Sequence, residues 1–135
     1  MTKNRHFYKI VFMTPITRSP LASAYFRFLQ LARAVEALPD GAPMDANESA
    51  LLEAVVLRWH EGHAMTVREA IKLAELGSPA TLHKRITRLR NKGMLATYSE
   101  PGDRRAKFLV PTQQTLDYFD RLGQSLQQVQ TIHAA

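Results

Sequence analysis

Between Thr66 and Gly93 the chain starts two helices with a single glycine between them, and that spacing restricts its architecture more than any other feature. Thr66-Val67-Arg68-Glu69 has the form of a capping box, in which a hydroxyl and a glutamate satisfy each other's backbone donors. Ala70, Leu73 and Ala74 follow at helical spacing and Gly77 closes this short helix. Ser78-Pro79 then opens the next, with serine as cap and proline in the first turn. That helix runs to about Lys92, ahead of Gly93. Two helices joined by so tight a turn make a helix-turn-helix.

After Gly93 the period changes from helical to alternating. Met94-Leu95-Ala96-Thr97-Tyr98 and Ala106-Lys107-Phe108-Leu109-Val110 read as short strands flanking Ser99-Glu100-Pro101-Gly102-Asp103-Arg104-Arg105, a β-hairpin with a basic tip. Pro111 ends the second strand and Thr112 caps a helix over residues 113 to 132. Along it Leu116, Phe119, Leu122, Leu126 and Val129 form an apolar stripe. Upstream, Ser19-Pro20 starts a helix over about residues 20 to 38, carrying Leu21, Tyr25, Phe28, Leu29 and Val35 and stopped by Pro39-Asp40-Gly41. Asp45-Ala46-Asn47-Glu48 reads as a second capping box. The helix it opens presents Leu51, Leu52, Val55, Val56 and Trp59 on one face and ends at Gly62, and Trp59 is expected in the core. The stretch His6 to Phe12 looks extended and has no assigned place.

The fold class expected is therefore mainly α with a small β-hairpin. Residues 1–18 form an N-terminal extension and 19–44 a helix and linker. Residues 45–111 form a winged helix-turn-helix, and 112–135 a C-terminal helix. At 135 residues the chain fits one domain.

Charge sharpens this reading. The formal net charge is +6, and from Lys84 to Lys107 eight basic residues face only Glu100 and Asp103, so the excess is concentrated there. In the helix after Ser78, Leu82, Ile86 and Leu89 face inward. The opposite side presents Ala80, Lys84, Thr87, Arg88 and Asn91, flanked by Thr81 and Arg85. Such a face, small at its start and basic further on, suits a helix entering the major groove of duplex DNA, where arginine forks to guanine and threonine meets a thymine methyl. A merely solvated basic face fits the helix alone equally well. The hairpin shifts the balance, because arginines on a wing suit a narrow, strongly negative minor groove.

These residues resemble the MarR family of bacterial transcription regulators. Ser78-Pro79-Ala80-Thr81 matches its Ser-Pro-x-Thr turn, and Arg88-Leu89-Arg90-Asn91-Lys92-Gly93 its Arg-Leu-x-x-Lys-Gly helix end. In the wing, Asp103, Arg105, Leu109 and Thr112 match Asp-x-Arg-x-x-x-Leu-x-Leu-Thr-x-x-Gly, while Pro111 replaces leucine and Thr115 replaces glycine. The resemblance covers about residues 45 to 122. It implies a sequence-specific double-stranded DNA-binding regulator, expected to repress. Ser78, Ala80, Thr81, Lys84, Arg85, Thr87, Arg88, Arg104, Arg105 and Lys107 would contact DNA, with Arg105 in the minor groove and Asp103 bracing the wing by pairing with a basic neighbour. It further implies a homodimer through the N- and C-terminal helices. A small aromatic or anionic effector would sit between those helices and the DNA-binding lobe, although no residue here identifies one.

Other chemistries find little support. The chain has no cysteine, which removes disulfides, thiolate zinc sites and thiol redox sensing. No apolar run approaches the roughly eighteen residues of a membrane span, and Ile10 to Met13 is too short for a signal peptide, so a cytoplasmic protein is expected. His60-Glu61-Gly62-His63 lacks the spacing of a zinc helix, no nucleophile elbow or phosphate loop occurs, and no cofactor or enzymatic activity is expected. The competing reading is a winged helix used for protein contact in replication or assembly, without operator specificity.

Overall fold

The computed structural model describes residues 19–36 and 44–134. The extended-looking stretch at residues 6–12 and the stop signal at residues 39–41 lie outside them. The elements are α1 (Pro20–Glu36), α2 (Ala46–His60), α3 (Val67–Ala70), a 3-10 turn (Ala74–Leu76), α4 (Pro79–Asn91), β1 (Leu95–Glu100), β2 (Asp103–Pro111) and α5 (Gln113–Ala134). The mainly helical architecture with one antiparallel hairpin agrees with expectation.

Every helix start read from the sequence is made by the side chain named for it. Ala22 N donates to Ser19 Oγ at 3.0 Å, Glu48 N to Asp45 Oδ1 at 2.7 Å, Thr81 N to Ser78 Oγ at 3.3 Å and Thr115 N to Thr112 Oγ1 at 3.2 Å. At Thr66 the box is reciprocal, with Glu69 N on Thr66 Oγ1 and Thr66 N on Glu69 Oε1, each at 3.1 Å.

Asp45-Ala46-Asn47-Glu48 departs from this. Asp45 caps α2, but the Glu48 carboxylate does not turn back to close a box. It lies buried and accepts from Lys92 Nζ at 2.6 Å, since an ammonium is a stronger partner for a desolvated carboxylate than a backbone N–H.

The third helix is shorter than its sequence pattern suggested. After Ala70 the bonds tighten to Lys72 N on Glu69 O and Leu73 N on Ala70 O, and Leu73 leaves the helical region at ψ 80°. The following 3-10 turn sets Leu73 and Leu76 three residues apart on one side, where both pack on the core. Gly77 then makes the turn with φ at 149°. That conformation favours glycine, and a Cβ there would come within 3.3 Å of Arg85 Nη1, which would have to give by a few tenths of an ångström.

One core joins Leu51, Leu52 and Val55 of α2, Met65 ahead of α3, Ala70 of α3, Leu82, Ile86 and Leu89 of α4, Met94 and Leu95 at the start of β1, Leu109 of β2 and Tyr118 of α5. α1 packs along α5. Trp59 departs from expectation, being 36% exposed. The last turn of α2 runs past this core, so Trp59 lies between a cleft shared with Leu116 and Phe119 and the outer surface of the hairpin.

The hairpin is longer than the two runs suggested. Pairing continues from Leu95↔Pro111 through Tyr98↔Phe108 to Glu100↔Asp103, with an irregularity after Tyr98, leaving Pro101-Gly102 as the turn. Arg104 and Arg105 therefore belong to β2 rather than to a loop. Met65 O accepts from Leu109 N at 2.8 Å and Thr66 bridges to Phe108, which ties the start of α3 to the wing.

Candidate nucleic-acid interface

α4 divides cleanly. Leu82, Ile86 and Leu89 are buried, while Ala80, His83, Lys84, Thr87, Arg88 and Asn91 are exposed at the three- and four-residue spacings of one helical face. The Thr87 hydroxyl donates to His83 O at 3.0 Å, so the methyl group is what this residue offers a partner. His83 belongs to the row and was not singled out from the sequence, although its spacing from Ala80 and Thr87 was a sufficient signal.

Three of the expected contact residues have local duties. Ser78 Oγ caps α4 and donates to Thr81 Oγ1 at 2.9 Å, so both hydroxyls are engaged in the turn. Arg85 is half-buried and its Nη1 donates to Leu76 O at 2.7 Å, closing the helix-turn-helix from within. Lys92, at the C-terminal cap of α4, is bound by Glu48. Of the cations of α4, Lys84, Arg88 and Arg90 remain exposed.

On the wing, Arg104, Arg105 and Lys107 are all exposed. At the start of β2, Asp103, Arg105 and Lys107 come together around one groove whose lining does not include Arg104. They line this groove, of about 630 Å³, with Thr66, Val67, Arg68 and Ile71 of the helix-turn-helix. Arg68 thus joins Arg105 and Lys107 across that groove, an encounter with no sequence signal because the partners lie on separate elements. Asp103 Oδ1 accepts from Arg105 N at 3.1 Å, which orients the backbone at the start of β2 through an N–H rather than through a basic side chain.

The capping carboxylates have acidities set by these contacts. The Glu48 backbone N–H holds the Asp45 carboxyl below its ordinary value, against a smaller opposing effect of burial, with the Arg85 charge adding slightly. The Thr66 backbone N–H and then its hydroxyl lower Glu69 in the same way, with Arg58 and Lys72 contributing less. A carboxyl depressed in the folded state stabilises above its unfolded value and loses that contribution as pH falls through the folded one. Stability should therefore drop below about pH 4. Asp45→Asn keeps a capping oxygen without the titration, so its urea midpoint should fall less between pH 7 and pH 3. Identical acid losses for the two proteins would contradict this.

Among the described residues no group of three or more histidines, aspartates and glutamates is placed to hold a metal ion, and no helix is long and apolar enough to cross a membrane.

No protein-family model matches the sequence, and no curated protein does. Solved structures are similar in fold. The transcriptional regulator Tm0710 from Thermotoga maritima is 18% identical with a TM-score of 0.53, over 98% of this chain and 79% of that one. Staphylococcus aureus MarR, solved in complex with salicylate and kanamycin, is 14% identical with a TM-score of 0.51, over 99% of this chain and 77% of that one. The likeness establishes that this chain has the fold of those regulators, a winged helix-turn-helix carried between flanking helices.

Proposed function

We propose that this chain, built on the fold of MarR-type regulators, is a sequence-specific double-stranded DNA-binding transcription regulator that works as a homodimer. The observation that carries the reading is the division of the cations. Arg85 and Lys92 serve the fold, while Lys84 and Arg88 stay exposed on α4 and Arg104, Arg105 and Lys107 on the wing. In this reading α4 enters the major groove with Ala80 and Thr87 as its small contacts, and Arg105 reaches the adjacent minor groove. The dimer reading rests on apolar side chains left on the outer surface of the α1–α5 pair, Leu21 at 84%, Tyr25 at 58%, Phe26 at 53% and Leu126 at 50% exposed.

An effector site fits the cleft of about 410 Å³ between α2 and α5, walled by Val56, Leu57, Trp59, Leu116 and Phe119, with Glu53 and His60 also lining it. Its walls suit a small aromatic molecule, the class to which the salicylate bound to S. aureus MarR belongs.

The test is titration of a labelled random-sequence duplex over a range of salt. Affinity should fall with a log–log slope of about −0.9 per phosphate neutralised. Affinity independent of salt would overturn the DNA reading. Salicylate added to the free protein should change the fluorescence of Trp59, the single tryptophan, and a flat response would remove the effector site for that ligand class.

A further inference from the structure

The residues just past α4 carry an unusual share of the polar ties that join one element to another. α4 ends in a Schellman motif, with Gly93 N on Arg90 O at 3.0 Å and Met94 N on Leu89 O at 2.9 Å. Lys92, within that motif, reaches Glu48 in the first turn of α2, 44 residues away in sequence. The next two carbonyls are taken by the start of α5. Gly93 O accepts from Thr112 Oγ1 at 2.6 Å, and Met94 O accepts from Thr115 Oγ1. Thr112 uses the same hydroxyl oxygen to cap α5, and Thr115 is fully buried. Fit is close as well, since a Cβ at Gly93 would come within 3.1 Å of Gln114 Oε1.

We infer that Glu48 and Thr115 are positioning residues for the recognition helix: by holding Lys92 and Met94 they set how α4 presents its exposed row, without touching DNA themselves. The inference rests on the DNA-binding reading above.

The physical argument turns on what each kind of contact resists. Leu82, Ile86 and Leu89 anchor α4 through apolar packing, which is non-directional and tolerates small rotations about the helix axis. Hydrogen bonds and a close ion pair are directional, and a buried carboxylate is strongly penalised if its cation moves away. Three such ties at one end of α4 therefore fix its rotation and depth relative to α2 and α5. The same geometry assigns Lys92 to the fold, although it stands in the most basic stretch of the chain. Thr115, which replaces the glycine of the resembled wing motif, supplies a hydroxyl that glycine lacks.

The test uses the full chain, with a random-sequence duplex and the pool enriched from it by the wild type as probes. Lys92→Glu and Glu48→Lys should each weaken binding to the enriched pool about tenfold or more, because each places like charges in a half-buried contact at the end of α4. The double exchange restores opposite charges and should recover affinity with the salt slope of the wild type. If Lys92 instead touches phosphate, the double exchange stays as weak as Lys92→Glu and its slope is smaller by about 0.9, which overturns the inference. Thr115→Val, of nearly the same shape, supplies a second reading should a single exchange fail to fold. It should lower the preference for the enriched pool over random duplex several-fold while leaving binding to random duplex in place. An unchanged preference would also overturn the inference. A wild type that binds no duplex at all removes the DNA reading, and the inference with it, whereas selective wild-type binding without rescue removes the inference alone.

Discussion

Replacing Phe26 and Leu126 together by glutamate is expected to leave a folded monomer whose affinity for duplex DNA is lower by about a hundredfold to ten-thousandfold, the range by which linking two binding modules raises avidity. Both side chains are half exposed, so the substitutions remove little from the packing of the single chain. What they add is charge on a surface that a second copy would bury, where unpaired carboxylates oppose association strongly. A dimer seats two recognition helices on half-sites one helical turn apart, and a monomer seats one. Sedimentation velocity at micromolar concentration and a duplex titration should therefore change together, with the far-ultraviolet circular dichroism spectrum preserved. A wild type that already sediments as a monomer would show that the outer surface of α1 and α5 has another purpose. A variant that stays dimeric would place the interface elsewhere.

The second large effect separates reading from positioning. Arg105→Ala on the wing and Lys84→Ala or Arg88→Ala on α4 each remove one exposed charge, yet they should act differently in a binding-site selection at one salt concentration. Loss of Arg105 should weaken binding most at sites with narrow A·T-rich flanks, because an inserted arginine senses groove width and potential. Changes on α4 should alter preference within the half-site, by about 1–3 kcal/mol where a bidentate base contact is lost, and uniformly across sequences where only phosphate is touched. Glu100→Gln serves as the control. Equal loss at every sequence for all the variants would reduce α4 and the wing to an electrostatic platform and end the claim of sequence-specific regulation.

The features legible in advance share one property, that their causes lie within a few residues. Ser19, Asp45, Thr66, Ser78 and Thr112 each cap a helix through a backbone N–H three residues on, and such a bond needs only the local chain to form. The inward face of α4 follows from its period in the same way, as does the turn at Gly77. The resemblance to a known regulator family likewise stood on contiguous motifs, and the similar solved structures agree with it at the level of the fold.

The fate of individual polar groups was not legible, because a side chain with several open partners chooses among groups that only packing brings near. Glu48 satisfied the capping-box pattern and yet pairs with Lys92. Arg85 counted toward the basic face and closes the turn through Leu76 instead. Arg68 carried no signal until β2 set Arg105 and Lys107 across a groove from it. Trp59 has the size and spacing of a core residue, but its burial depends on where α5 crosses α2, which no local pattern states. The sequence by itself therefore determined where the helices start, their caps and the order of the elements, since short-range hydrogen bonds and hydrophobic period suffice for these. Which cations remain free to meet a polyanion was decided only by the tertiary structure, because a charge is released or neutralised by neighbours that arrive from distant parts of the chain.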